Sequence, residues 1–194
     1  LPAGWKWVKL GDVCEVSTGG TPSTKHSEYY GKEIRWLKSG DIRPDYITEY
    51  PNSISSLGLR NSNARLHPAN TVMLAMSGQG KTRGTSAISI EDSACSQSVA
   101  AILPSPHVLP EIIHYYLVKS YQETRNITGD NHRSGLNLKI VRNIDFPLPP
   151  LEEQKRIARI LNEQMATVEK AKNAAEERLE AAKALPAAYL RDVF

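Results

Sequence analysis

The stretch "FPLPPLEEQKRIARIL", Phe146 to Leu161, separates two kinds of sequence. Before it, Gly, Pro, Ser, Thr and Asn recur in short clusters between brief apolar runs. After it, residues 151 to 185 are dominated by Ala, Glu, Lys, Arg, Leu and Gln, all of which favour a helix. Pro149 and Pro150 mark the change, because proline has no backbone N–H and is tolerated at the start of a helix but not inside one. The expected organisation is a globular domain over residues 1–150 and a long helix over 151–194.

The tail carries its own pattern. Glu152 and Glu153 fall in the first turn, where acidic side chains complement the positive end of the helix dipole. Ile157, Leu161, Gln164, Val168, Ala171, Ala175, Arg178, Ala182 and Leu185 are spaced alternately by four and three, which is a heptad seam. At about 1.5 Å per residue, Leu151 to Leu185 spans roughly 50 Å, more than a small domain covers. Ile157, Leu161, Gln164, Val168, Ala171, Ala175, Ala182 and Leu185 are therefore the expected interface with another helix. Pro186 is expected to end or kink the helix, leaving "AAYLRDVF" to form one more short apolar turn.

Upstream, the pattern is one of short strands and turns. "WVKLGDVCEVSTG" suits a strand or short helix near Leu10 to Val16, "GGTPSTKHSEYYG" a turn-rich loop, and "IRWLKSGDI" a strand running into a turn. "TVMLAM" and "SAISI" read as two strands, and "PEIIHYYLVKSYQETR", with Pro110 at a first helical position, as a helix. The fold class is α+β: a mixed-strand globular domain followed by a long helix of coiled-coil type.

Composition narrows the function classes. The chain has 194 residues and a formal net charge of +3. Lys and Arg number 16 against 13 Asp and Glu in residues 1–150, and 8 against 8 beyond, so the excess lies in the first part. That favours a polyanionic partner weakly. No run approaches the roughly 18 apolar residues that cross a bilayer, and "LPAGWKWVKL" lacks the features of a leader, so a cytoplasmic protein with no membrane contact is expected. It starts at Leu1 without an initiator Met, as a trimmed product or a piece of a longer protein would. Cys14 and Cys95 stand far apart with no Cys-x-x-Cys or Cys/His cluster, so buried thiols are expected and no metal site.

"AMSGQGKT", Ala75 to Thr82, has the spacing of a loose phosphate-binding loop. Such a loop needs a helix directly after Lys-Thr, because the phosphates rest on that helix's first amides. Here "RGTSAISI" follows, which is a strand pattern, and no apolar run ending in Asp is present to hold magnesium. The stretch is better read as a Gly-rich hairpin tip presenting Ser77, Gln79, Lys81 and Arg83 to phosphates and base edges. A nucleotide-binding protein acting through Ala75 to Thr82 and a coiled-coil adaptor for other proteins are the two alternatives. The histidines are scattered without an identifiable carboxylate partner, so no catalytic residues are assigned and no enzyme is expected.

Four segments carry a resemblance. "GWKWVKLGDVCEVSTGGTPS", "IRWLKSGDI", "ARLHPANTVMLAM" and "LNLKIVRNIDFPLPPLEEQKRIARIL" together resemble the DNA specificity subunit of type I restriction-modification systems, in order and through nearly the whole chain. The resemblance implies a target-recognition domain that reads double-stranded DNA, a helix that spaces two such domains, methyltransferase subunits as partners and, where the system cleaves, a restriction subunit. It places S-adenosylmethionine and ATP on those other subunits and no cofactor on this chain. Family members usually carry two recognition domains and two helices, whereas this sequence has one of each and no internal repeat. A half-subunit that self-associates through the helix would restore the usual plan, and two identical domains would read an inverted repeat across a gap. Ser23, Thr24 and Lys25, Lys38 and Arg43, Ser77, Gln79, Lys81 and Arg83 at the hairpin, and His132 and Arg133 are the expected DNA contacts, since they concentrate in turn-rich segments.

Overall fold

The computed structural model describes residues 1–43, 45–78, 80–127 and 135–193, with 186–188 and 190–193 described by backbone alone. In chain order the elements are β1 (Lys6–Lys9), α1 (Leu10–Val13), β2 (Val16–Thr18), β3 (Tyr30–Leu37), β4 (Tyr46–Ile47), β5 (Ser53–Ile54), α2 (Ser56–Arg60), β6 (Leu66–His67), β7 (Thr71–Ala75), β8 (Ser86–Ser89), β9 (Ser93–Cys95), β10 (Val99–Ile102), α3 (Pro110–Lys119), α4 (Tyr121–Asn126), α5 (Leu138–Arg142), β11 (Asp145–Leu148) and α6 (Leu151–Val193). They divide into two compact units, Leu1–Gln154 and Lys155–Phe194.

In the first unit the strands form three sheets, ordered β2-β10-β7-β8-β4, β5-β3-β9-β6 and β1-β11. Every described pairing is antiparallel except β3 with β9 and β4 with β8. β7, β8 and β10 are buried along their whole length, which is why "TVMLA" and "VAAI" read as continuous apolar runs rather than alternations. Met73 pairs with Ala87 on one side and Ala101 on the other, so these three side chains share a face. That face packs with Leu37, Ile42, Ile47, Cys95 and Val99 as the main core. The opposite face carries Val72 paired with Ile88, and α3 lies against β7 and β8. Here Ser86 Oγ and His114 Nδ1 meet at 3.1 Å, so the two buried polar groups satisfy each other. A second cluster, Trp36, Ile54, Ala64 and Ala94, sits under the smaller sheet.

Local chemistry explains several boundaries. Pro110 takes the first position of α3, where its missing N–H loses nothing. Ser55 caps α2 by accepting from the Gly58 N–H, and Asn137 caps α5 by accepting from the Ile140 N–H. The single helix expected over "PEIIHYYLVKSYQETR" is two, α3 and α4, separated at Ser120. Ser120 directs both its N–H (2.9 Å) and its hydroxyl (2.7 Å) to the Tyr116 carbonyl and leaves helical geometry there. The segment expected as one element near Leu10 resolves into α1 and β2.

In the second unit, α6 runs unbroken in its hydrogen-bonded assignment to Val193 and Pro186 does not end it. A proline in a helix interior costs about 3 kcal/mol through its missing N–H and the clash of its ring with the preceding turn, and the neighbouring alanines have the highest helix propensity. Gln164, Val168, Ala171, Ala175, Ala182 and Leu185 are all exposed within this chain. Met165 and Leu179, four residues after Leu161 and Ala175, are also exposed, at 45% and 54%. Leu161, Met165, Val168, Ala175, Leu179 and Ala182, interrupted by Lys172, form an apolar stripe that overlaps the expected seam and has Met165 and Leu179 where that seam has Gln164 and Arg178.

Candidate nucleic-acid interface

Strand direction gathers loops that are far apart in sequence. β10 runs antiparallel to β2 and β7, so its start lies level with their ends: Val99 pairs with Ala75 and Ala100 with Thr18. β3 and β9 run parallel and finish level, Leu37 beside Cys95, while β6 begins beside Ala94. A short turn, Ser96 to Ser98, links β9 to β10, and its backbone is tied to Leu37 (Ser96 N–H to Leu37 O, 2.8 Å) and to Met76 (Met76 N–H to Ser98 O, 2.8 Å). The segments following β2, β3 and β7, the turn after β9 and the segment before β6 therefore meet at one end of the sheets.

Among the described residues that end carries five exposed cations, Lys25, Lys38, Arg60, Arg65 and Lys81. Two carboxylates near these cations, Asp41 and Glu28, have hydrogen-bond partners of their own. Asp41 accepts hydrogen bonds from the Lys38 N–H and the Asn52 side chain, and Glu28 pairs with His26 Nδ1 at 3.0 Å. Its own backbone N–H and the His26 ring hold the Glu28 carboxyl below its ordinary value. The grouping of cations at this end is a feature that overall composition hides.

The expected contacts are distributed unevenly over this end. Ser23, Thr24 and Lys25 are exposed in the loop between β2 and β3, and the Ser23 hydroxyl accepts from the Lys25 N–H at 3.4 Å. Lys38 stands over the Trp36 ring, 5.2 Å from its centroid, with the indole itself buried. Arg43 borders a separate hollow with Asp41, Tyr46, Thr48 and Glu49. Ser77 is half-buried and Lys81 exposed on the segment that joins β7 to β8. Arg83 differs from the outstretched cation expected of it. It is only 9% exposed, and its carbonyl accepts from Arg125 at 3.0 Å, because the chain has already turned inward toward β8. Gln79, His132 and Arg133 lie outside the described residues.

The hairpin reading of "AMSGQGKT" agrees with the register, since β7 and β8 are antiparallel neighbours and β8 follows the tip. Thr82 is followed by a turn at Gly84, whose φ of 88° suits glycine, and no helix N-terminus is offered to a phosphate. The tip is anchored by two hydroxyls: Thr85 Oγ1 and Tyr121 Oη both donate to the Lys81 carbonyl, at 2.9 and 2.7 Å.

The structure adds residues that sequence reading did not single out. Together with Ser23, an expected contact, Gly19, Gly20, Thr21, Arg60, Asn61, Ser62, Asn63 and Gln97 line an open cleft of about 640 Å³ at this end. The run "LRNSNAR" contains the signal for four of them, a turn rich in Asn and Arg; Gln97 carries none, because a lone Gln in a turn is ordinary. Among the described residues no group of three His, Cys, Asp or Glu is placed to hold a metal ion, and no helix is long and apolar enough to cross a membrane. Both cysteines are buried and free, and burial pushes Cys14 up to about 11 and Cys95 up to about 12, so neither thiol is a nucleophile near neutral pH.

The chain is 28% identical over 167 residues to the type I restriction enzyme MjaIX specificity subunit of Methanocaldococcus jannaschii, covering 84% of this chain and 38% of that protein. It is 23% identical over 157 residues to the type I restriction enzyme HindI specificity subunit of Haemophilus influenzae, covering 78% of this chain and 33% of that one. Among solved structures, the HsdS subunit from Thermoanaerobacter tengcongensis superposes with a TM-score of 0.69 at 24% identity, over 90% of this chain and 40% of that chain, a likeness of fold. The chain thus spans well under half the length of the curated relatives it matches. Residues 2–180 match the model of one family throughout, and on that match the chain belongs to the type I restriction modification DNA specificity domain family.

Proposed function

We propose that this chain is a sequence-reading, non-catalytic half of a type I specificity subunit, which binds duplex DNA through the loop end of its first unit. The observation that carries this is the convergence of Lys25, Lys38, Arg60, Arg65 and Lys81 with Asn61, Asn63 and Gln97 on one end. Cations there neutralise phosphates and amides read base edges, which is the division of labour that sequence-specific binding needs. The residues 1–150 serve as the recognition domain and 151–194 as the spacer helix. Methyltransferase subunits supply the chemistry, with S-adenosylmethionine, and a restriction subunit joins where the system cleaves.

The stripe from Leu161 to Ala182 supports self-association through α6, and two identical recognition units would read an inverted repeat separated by a gap. Reconstitution with the methyltransferase subunits of the same system, followed by sequencing of methylated adenines, tests the whole reading: the expected product is a two-part symmetric site. Sedimentation tests the helix alone. Leu161→Glu with Val168→Glu should convert a dimer to a monomer and turn a two-part site into unselective or absent methylation. A wild-type chain that stays monomeric at all accessible concentrations removes the homodimer; one that binds no DNA at low salt in the presence of methyltransferase favours the protein-adaptor alternative.

A further inference from the structure

Gln97 occupies an unusual position in the cleft. It sits on the turn between β9 and β10, exposed, while the turn's backbone is fixed to β3 and β7. Beside it runs the segment after β2, which lies close against β9 because it contains glycines. A Cβ on Gly19 would stand 1.7 Å from the Cys95 carbonyl oxygen, and one on Gly20 would stand 2.7 Å from the Asn63 backbone. The segment is held there by the buried Trp36 indole, whose N–H donates to the Gly20 carbonyl at 3.0 Å. The next residue, Thr21, is thereby delivered to Gln97, and its hydroxyl donates to Gln97 Oε1 at 2.6 Å. Packing two glycines into the core thus fixes a side-chain pair 76 residues apart in sequence.

This hydrogen bond orients the carboxamide. The Thr21 hydroxyl occupies one lone pair of Oε1, leaving the second lone pair and both N–H donors; among the described residues none of these has a partner. One acceptor and one donor side by side on a fixed plane match adenine in the major groove, which presents an N6 donor beside an N7 acceptor. Within the major groove no other single base offers that pair to a carboxamide, since guanine presents two acceptors, cytosine a donor and thymine an acceptor. Arg60, on the same cleft, is exposed, with the Glu33 carboxylate in electrostatic reach.

We propose that Gln97 is a specificity-determining residue that reads one adenine in the target, and that Thr21 is the positioning residue that holds its amide in the reading orientation. The inference rests on duplex DNA being the ligand of the loop end, and it adds which residue reads and which base is read. Selection of duplexes from a randomised pool by the full chain assembled with its methyltransferase subunits tests it. The wild type should select a site containing an adenine that Gln97→Ala makes degenerate, with a loss of preference of about 5- to 150-fold at that position, the range of one bidentate base contact. Other positions and the affinity for unrelated duplex should be unchanged. Gln97→Glu, which has acceptors only, should move that position toward cytosine, whose N4 group donates. Thr21→Val should weaken the same position and no other.

Two results overturn the assignment while leaving DNA reading intact: a Gln97→Ala variant that selects the wild-type site unchanged, or one that loses affinity equally for all sequences, which marks a phosphate contact. Both variants are at exposed positions, and equal melting temperatures establish that any change in selection is not a loss of folding. A wild-type assembly that binds DNA without selecting any sequence overturns the underlying proposal as well, so the two failures are distinct.

Discussion

At the scale of residues, burial decides what each polar group can do. His114 and His67 are 4% and 3% exposed. Burial holds both imidazoles below the usual value of 6.5; the Arg65 charge adds to this for His67 and Glu15 opposes it, while Asp45 opposes it for His114. Above about pH 6.5 the folded and unfolded chains both carry neutral rings and the term is constant. Below it the unfolded chain takes up protons that the folded chain refuses, so stability falls as pH falls. Urea midpoints should therefore drop between about pH 7.5 and about pH 5.5, and the drop should shrink when His67→Gln and His114→Gln are combined. A drop of unchanged size in that double variant would place the dependence on other groups. Arg83 illustrates the same rule for charge: a sequence counts it with Lys81, yet its 9% exposure sets it apart from the cations that reach solvent.

At the scale of elements, the long helix begins inside the first unit, and one side chain explains how. Gln154 is 1% exposed and makes three hydrogen bonds: Oε1 accepts from the Leu109 N–H at the start of α3 (2.9 Å), and Nε2 donates to the His107 and Pro149 carbonyls (3.0 and 2.9 Å). Within "LEEQ" it reads as one more solvated helix residue, because nothing local marks it as buried. Gln154→Ala strands those three backbone groups, and at about 1–3 kcal/mol per buried group left without a partner it should destabilise the first unit by about 3 kcal/mol or more. Thermal unfolding should register this as a fall of roughly 6–12 °C for a chain of this size. A fall under about 2 °C would mean that water replaces the amide. The hairpin of β7 and β8 is the contrasting case, legible from the strand pattern on both sides of "AMSGQGKT" because a hairpin is a local structure.

At the scale of the whole molecule, the partner is read from where charge is placed rather than from how much there is. A formal net charge of +3 is unremarkable, but five exposed cations share one end of the first unit. If each engages a phosphate, log affinity should fall with log salt by about 0.9 per contact. Lys25→Ala, Lys38→Ala and Arg60→Ala should each reduce that slope by about 1 and weaken all sequences alike, as measured by salt titration of binding to specific and unrelated duplexes. Arg43→Ala, on its separate hollow, should leave the slope nearly unchanged, and equal effects at all four positions would indicate a diffuse field instead of contacts.

The sequence by itself determined the class of each part. Period two, period 3.6 and the heptad are properties of neighbours along the chain, so the strands of "IRWLKSGDI", "TVMLAM" and "SAISI", the α+β class and the long helix after Pro150 were readable from it, as was the burial of Cys14 and Cys95. Only the tertiary structure decided which loops share an end. That depends on pairings between distant strands, Thr18 with Ala100 and Leu37 with Cys95, whose register no local pattern encodes. Those pairings bring Thr21 to Gln97, add Arg60, Asn61 and Asn63 to the site, and turn Arg83 inward. The physical reason is the same in each case: propensity acts between neighbours in sequence, whereas a binding surface is made by side chains that become neighbours after the core has packed.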